Sequence, residues 1–233
     1  MRVLGLIPAR GGSKGVPRKN IRVVEGRPLL WYTAQAAHAA TRLTRVILNT
    51  DDEEIAEVGR ACGLEVPFMR SAALGTDDTS TLAVIQDTLN RLEAEADHFD
   101  AVCLLQPTNP LRDAGEVDAC IALLEASGAD SVVTIRPVPA EHNPHWVYFR
   151  ADDGTLALAT GESAPLPRRQ LLPPAFHRAG SVYVTRSAVI RDGSLFGRRT
   201  LGVEVSAHSA INIDSVADLD LATAALRERA GES

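Results

Sequence analysis

The residues best suited to chemistry in this 233-residue chain crowd into one stretch near its start, Pro8-Ala9-Arg10-Gly11-Gly12-Ser13-Lys14-Gly15-Val16-Pro17-Arg18-Lys19-Asn20. Small residues there let backbone N–H groups approach an anion, while Arg10, Lys14 and Lys19 add positive charge, a combination that binds phosphate. Between Arg10 and Arg27 six cations (Arg10, Lys14, Arg18, Lys19, Arg22, Arg27) face one acid, Glu25, in a chain whose formal net charge is -6. A local basic cluster on an acidic protein suits a compact anion. Nucleic acid or an anionic membrane needs a broad basic surface. Solvated charge is the alternative that location alone leaves open. The spacing fits neither common glycine-rich motif: Lys14 is followed by Gly15 where a P-loop requires Ser or Thr, and Gly12-Ser13 interrupts G-x-G-x-x-G.

Other reactive residue types carry weaker signals. His142 and His145 have a metal-like spacing, but Pro144 lies between them and no H-E-x-x-H context exists, so packing or contact roles are expected. No G-x-S-x-G elbow supports a hydrolase triad. Cys62, Cys103 and Cys120 are far apart in apolar stretches, which predicts small core residues rather than zinc ligands or disulfides.

A phosphate loop needs a rigid frame, and the flanking sequence supplies one. Val3-Leu4-Gly5-Leu6-Ile7 reads as a buried strand, followed by a helix over 28–40 with Pro28 near its first turn. Arg45-Val46-Ile47-Leu48 is a second strand; Thr50 or Asp51 is expected to cap a helix over 53–61 that ends at Gly63. Leu82, Ile85, Leu89 and Leu92 have helical spacing, and Ala101-Val102-Cys103-Leu104-Leu105 is short and apolar enough for a central strand. A helix over 114–126 and strand Ser131-Val132-Val133-Thr134-Ile135 continue the alternation. The pattern predicts an α/β, doubly wound, mostly parallel sheet. Residues 137–178 break it, with more than half of the 13 prolines and little periodicity. They read as an excursion before strands at 181–184 and 201–205 and a last helix over about 218–229.

Composition agrees with one soluble domain spanning 1–233: 45% of residues are hydrophobic and 23% charged, enough to bury a core without disulfides. No run of about 18 apolar residues suggests a membrane span, and the first residues open into a strand rather than a signal peptide, so a cytoplasmic protein is expected.

Four segments together carry a family resemblance. The loop at 7–20 closely resembles the I-P-A-R-x-x-S-K-G-[ILV]-P-x-K-N signature of the acylneuraminate cytidylyltransferases. Arg70-Ser71-Ala72-Ala73-Leu74-Gly75-Thr76-Asp77-Asp78-Thr79-Ser80-Thr81 is similar to R-P-x-x-L-x-x-D-x-x-S-[ST], with Ser71 in place of proline. Leu104-Leu105-Gln106-Pro107-Thr108-Asn109-Pro110-Leu111-Arg112 matches L-L-Q-P-T-[SN]-P-L-R, and Arg169-Gln170 followed by Pro173 resembles R-Q-x-L-P. Order and spacing hold over nearly the whole chain.

The resemblance implies the nucleotide-diphospho-sugar transferase, Rossmann-like version of the fold. It also implies transfer of CMP from CTP to the anomeric hydroxyl of a sialic-acid-like 2-keto-3-deoxy sugar acid, with release of pyrophosphate. Arg10, Lys14 and Lys19 would hold the triphosphate and the leaving pyrophosphate, with Asn20 close by; such cations are what nucleotidyl transfer requires. Arg70 and Thr81 match positions near cytosine, and Gln106, at the carboxyl end of a central strand, is placed to orient the sugar acid. Gln106-Pro107-Thr108 stands where enzymes activating the eight-carbon acid Kdo show Q-G-D-E-P, which favours a nine-carbon acceptor. Ile211-Asn212-Ile213-Asp214-Ser215 resembles the magnesium-binding D-x-D, with Asn212 replacing the first carboxylate and Asp214 keeping the second. The 137–178 excursion resembles the family's dimerisation region, which would carry Arg169 and Gln170 to a partner's site in a homodimer. Two other functions stay open: CMP transfer to a phosphonate or another unusual acid, and a CTP-binding regulator weakened in catalysis by the loss at Asn212.

Overall fold

A computed structural model describes residues 1–12, 15–76, 78–206 and 208–231. Along the chain the elements are β1 (Val3–Pro8), a small hairpin of β2 (Val23–Val24) and β3 (Arg27–Pro28), α1 (Leu29–Ala39), β4 (Arg45–Asn49), α2 (Glu53–Ala61), α3 (Thr81–Ala94), β5 (Ala101–Leu104), α4 (Ala114–Ser127) and β6 (Ser131–Pro137). Then follow β7 (Tyr148–Arg150) and β8 (Leu156–Leu158), β9 (Phe176–Arg186), α5 (Ser187–Arg191), β10 (Thr200–Glu204) and α6 (Val216–Gly231).

Six strands form one sheet in the order β10-β6-β9-β5-β1-β4. Five run in one direction; β9 is antiparallel to both β5 and β6. The sheet is therefore mostly parallel, as the alternating pattern predicts, and its reversed strand is the one that returns from the proline-rich excursion. Period-2 alternation sorts the strand residues onto two faces. Val3, Ile7, Leu48 and Cys103 pack with α1, α2 and α4, where Cys120 also lies. Leu4, Leu6, Ile47, Val102 and Leu104 pack with α3 and α5. Burial of β1 and β5 on both faces explains their continuous apolar sequences. Burial also raises the Cys103 thiol to about 12, so it is held as an inert core group. None of the helices, among the described residues, is long and apolar enough to cross a membrane.

Residues 138–175 stand away from this sheet. Val138 N–H donates to the Ala175 carbonyl at 2.8 Å and closes their base, and β7 and β8 pair as an isolated antiparallel hairpin. Tyr148, Phe149, Leu156 and Leu171 are exposed there. His145 meets Glu162 through Nδ1 at 2.9 Å, a local side-chain contact rather than half of a histidine pair.

The start of α2 departs from expectation. Its N-cap is Asp52, whose carboxylate accepts from Ile55 N–H at 3.0 Å. Thr50 Oγ1 instead accepts from Asp52 N–H, and Asp51 accepts from Gly11 N–H at 3.2 Å. Three polar residues in a row offer three possible caps; the winner is fixed by the distant loop that claims Asp51. Gly63, at φ 84°, takes the left-handed position just past the helix. Asp52 also pairs with Arg18 at 2.5 Å, and that guanidinium is the leading cause holding its carboxyl below the ordinary range, helped by the Ile55 N–H.

Asp52→Ala should remove the cap and the Arg18 contact together and lower stability by about 1–2 kcal/mol at neutral pH. Because the folded-state pKa of Asp52 is depressed, its contribution is full above the unfolded carboxylate value and is lost as pH falls through the lower folded one. Thermal melts should thus show a gap between wild type and variant at pH 7 that narrows below about pH 4. A gap that is constant with pH would assign the loss to packing alone.

Candidate functional site

A cleft of about 770 Å³ opens at the carboxyl ends of β1 and β5, the edge where open α/β sheets collect ligands. Three segments far apart in sequence furnish its floor. Pro8, Arg10, Gly15, Lys19 and Asn20 come from the loop after β1; Arg70, Thr76, Thr79 and Thr81 from the approach to α3; Gln106, Pro107 and Thr108 from the turn after β5. The rest of the lining, its wall, is His177, Arg178, Gly180 and Tyr183 of β9 with Asn212 and Asp214 before α6.

Most of the expected floor residues are held by specific bonds. Asn20 is buried and its Nδ2 donates to the Arg10 carbonyl at 3.0 Å, fixing the curvature of the loop. Arg10 reaches the Thr76 carbonyl at 3.3 Å, tying that loop to the approach to α3. Lys19 is largely buried, and its Nζ donates to the Ile213 carbonyl at 2.8 Å and lies 3.3 Å from Asp214 Oδ1. Gly15 is required by this closeness: a Cβ there would run into the Asp214 carbonyl. Lys14 lies outside the described residues. Arg70 is buried and donates to Asn49 Oδ1 and the Asn49 carbonyl at 2.5 and 2.7 Å. Its burial, acting before any neighbouring charge, lowers its pKa. Thr81 is the first residue of α3, whose N-cap is Ser80. Gln106 lies beyond the end of β5, and its carbonyl accepts from Arg112 at 2.7 Å.

Arg169 and Gln170 form an exposed 3-10 turn in the excursion and do not line the cleft of their own chain. In the D-x-D-like segment the two positions differ in kind. Asp214 presents a carboxylate that is 80% exposed. Asn212 turns its amide inward: Nδ2 donates to the Ala179 carbonyl at 2.8 Å and faces the Ala210 carbonyl at 3.5 Å. Two carbonyl oxygens on one side fix the amide orientation, so Asn212 is first a clamp on β9. Asp218, the next acid, accepts from Asp214 N–H, Ser215 N–H and Ser215 Oγ and orders the turn into α6.

The β9 wall escapes sequence reading because it depends on a bulge. Tyr183 pairs with Val133 and Arg178 with Ile135, so five steps along β9 match two along β6. The three extra residues free the carbonyls of Ala179 and Ser181 from the ladder and bring Tyr183 and Arg178 to the same face as Val133 and Ile135. Gly180, at φ 79°, stands 2.6 Å from the Asn212 amide when a Cβ is placed on it, so the approach needs glycine. The signal available in sequence was this glycine, just ahead of a β-rich run. His177 accepts at Nε2 from Arg136 at 2.7 Å. Its pKa is lowered, first by burial and then by Arg136, so it is neutral at physiological pH.

The α/β frame and its polar cleft are those of a nucleotidyltransferase. Residues 4–210 match the model of the family described as cytidylyltransferase. The chain is 32% identical over 220 residues to the CMP-N,N'-diacetyllegionaminic acid synthase of Legionella pneumophila, covering 94% of this chain and 93% of that protein. It is 30% identical over 223 residues to the pseudaminic acid cytidylyltransferase of Campylobacter jejuni, covering 95% of each. The fold superposes with a TM-score of 0.74 on a CMP:2-keto-3-deoxy-manno-octonic acid synthetase complexed with CTP, at 17% identity over 98% of this chain and all of that one. The chain belongs to the acylneuraminate-type cytidylyltransferase family.

Restoring the missing carboxylate should harm this chain rather than help it. Asn212→Asp places a charge against the Ala179 and Ala210 carbonyls and removes the N–H they share, a loss of about 1–3 kcal/mol. Urea unfolding measures it directly; an Asn212→Asp variant as stable as wild type would show that the amide clamp is dispensable.

Proposed function

We propose that the chain transfers CMP from CTP to the anomeric hydroxyl of a sialic-acid-like 2-keto-3-deoxy sugar acid and releases pyrophosphate. The observation that carries this reading is that one cleft gathers the cations Arg10, Lys19 and Arg70 together with residues of β9 and the 212–214 segment. A triphosphate on the floor and an acid against the wall would bring the acceptor oxygen to the α-phosphorus. Nucleotidyl transfer is governed by such positioning and by stabilisation of charge on phosphoryl oxygens, without a covalent enzyme intermediate.

In this reading Arg10, Lys14 and Lys19 bind the phosphates and offset the charge that accumulates on the departing pyrophosphate. Asn20 holds the loop in shape. Arg70 and Thr81 form the cytosine end, and Gln106 orients the acceptor. Magnesium fits the donor set: the exposed Asp214 carboxylate is a hard oxygen ligand, Asn212 Oδ1 a weaker one, and this cation commonly takes its other oxygens from phosphates and water. When bound it would neutralise phosphate charge.

The reading includes a cytoplasmic homodimer. The exposed Tyr148, Phe149, Leu156 and Leu171 of the excursion would bury against a second copy, and Arg169 and Gln170, which do not line their own cleft, would reach the partner's.

Pyrophosphate release should require CTP and an acid together, with N,N'-diacetyllegionaminic, pseudaminic and N-acetylneuraminic acids as the first acceptors to assay. UTP should be poorer by several orders of magnitude, since a site built for the cytosine edge leaves buried polar groups unpaired with uracil. Equal use of UTP and CTP would contradict the cytosine assignment. A magnesium titration at saturating CTP and acceptor should leave Asp214→Ala with little activity at any concentration; wild-type turnover and magnesium dependence in that variant would move the metal elsewhere.

A further inference from the structure

Arg178 stands on the acceptor wall with a chemistry that the other groups there lack. It lines the cleft from β9, carried to the same face as Tyr183 by the three-residue bulge. Among the described residues no carboxylate pairs with it. Its guanidinium lies over the ring of Phe196, 5.3 Å from guanidinium carbon to centroid. Phe196 in turn packs edge-on against Tyr183, with centroids 6.5 Å apart. A guanidinium stacked on an aromatic face is restrained in orientation yet keeps its in-plane N–H donors available for a ligand. The neighbouring His177 contributes no charge, because Arg136 donates to its Nε2. The cations of the floor are already tied to protein oxygens: Arg70 to Asn49, Lys19 to Ile213 and Asp214, Arg10 to Thr76. Within one chain, and among the described residues, a cation without a carboxylate partner on a wall otherwise neutral or acidic is a receptor for a planar anion.

We infer that Arg178 is the residue that reads the carboxylate of the incoming sugar acid, binding it through its guanidinium fork and so selecting acids over neutral sugars. This rests on the transfer reaction proposed above. It assigns to β9 the acceptor's charge and leaves to the floor the charge of CTP. A carboxylate fits the fork in a bidentate manner, and a phosphonate offers related oxyanions, so the assay must compare the two.

The test uses the full chain, steady-state pyrophosphate release, and calorimetric titration of CTP. The acceptors are pseudaminic acid, N,N'-diacetyllegionaminic acid, the methyl esters of both and a 2-hydroxyalkylphosphonate. Arg178→Gln should raise the KM for the preferred acid about ten- to a hundredfold, the loss of a charge-assisted contact, with CTP affinity and melting temperature unchanged. Arg178→Lys should recover part of that loss. Wild type should prefer the acid to its methyl ester by a similar factor, and Arg178→Gln should erase the preference. An acid KM in Arg178→Gln equal to that of wild type, or an unchanged preference for acid over ester, would overturn the inference while leaving the transfer reaction intact. A parallel loss of CTP binding would move Arg178 to the nucleotide site. If wild type turned over the phosphonate alone, Arg178 would be a phosphonate reader and the carboxylate assignment would fall. No pyrophosphate from wild type with any acceptor would defeat both the reaction and the inference.

Discussion

A single buried guanidinium sets the distance between the two sides of the cleft. Arg112, 2% exposed, donates to the Ser181 carbonyl and the Gln106 carbonyl, both at 2.7 Å, and to Thr33 Oγ1 of α1 at 3.0 Å. Among the described residues no carboxylate pairs with it; burial drives its pKa down to about 10, opposed first by Cys103 and then by Glu116. A cation taken out of water costs several kcal/mol unless its donors are satisfied. The planar fork answers that demand with three fixed acceptors at once, a task that Lys, a point charge on a flexible stem, cannot perform. One acceptor belongs to the floor and another to the β9 bulge, so satisfying Arg112 fixes the gap that substrates must fit.

The rest of the site is assembled by the same logic of close backbone approach and satisfied polar groups. Lys19 joins the loop after β1 to the 212–214 segment by donating to the Ile213 carbonyl, and Gly15 permits the contact by having no side chain. Asn212 joins that segment to β9 through Ala179, and Gly180 permits that contact in turn. The Ile213 N–H donates to the Thr108 carbonyl at 2.8 Å and completes the circuit back to the β5 turn. Catalysis by positioning needs such rigidity, because misplacement of an acceptor by about 1 Å can cost a hundredfold in rate.

The sequence disclosed the parts of this arrangement that are local. The glycine- and cation-rich loop, the apolar strands β1 and β5 and the helical periods of α3 and α4 are written in spacings of a few residues, and Gln106 could be placed at a strand end for that reason. Arg112 looked like the last letter of a motif; its burial depends on α1, β5 and β9 meeting, which no local pattern records. The reversed direction of β9, its bulge and the delivery of Arg178 to the cleft likewise depend on pairing with β6 across the intervening residues 138–175. The short α5, only five residues long, gives too few turns for periodicity to register. Asn212 was legible as a departure from a carboxylate pair, but its hold on Ala179 is a tertiary fact.

Hydrogen exchange in Arg112→Met tests this account at its centre. Methionine replaces the volume and leaves the carbonyls of Ser181 and Gln106 without a donor. Amides 181–183 of the bulge should then exchange at least about tenfold faster than in wild type, while those of β1 and β4, which do not touch Arg112, keep their protection. Unchanged protection at 181–183, with β9 as slow as in wild type, would show that the wall stands without Arg112 and that another interaction sets the width of the cleft.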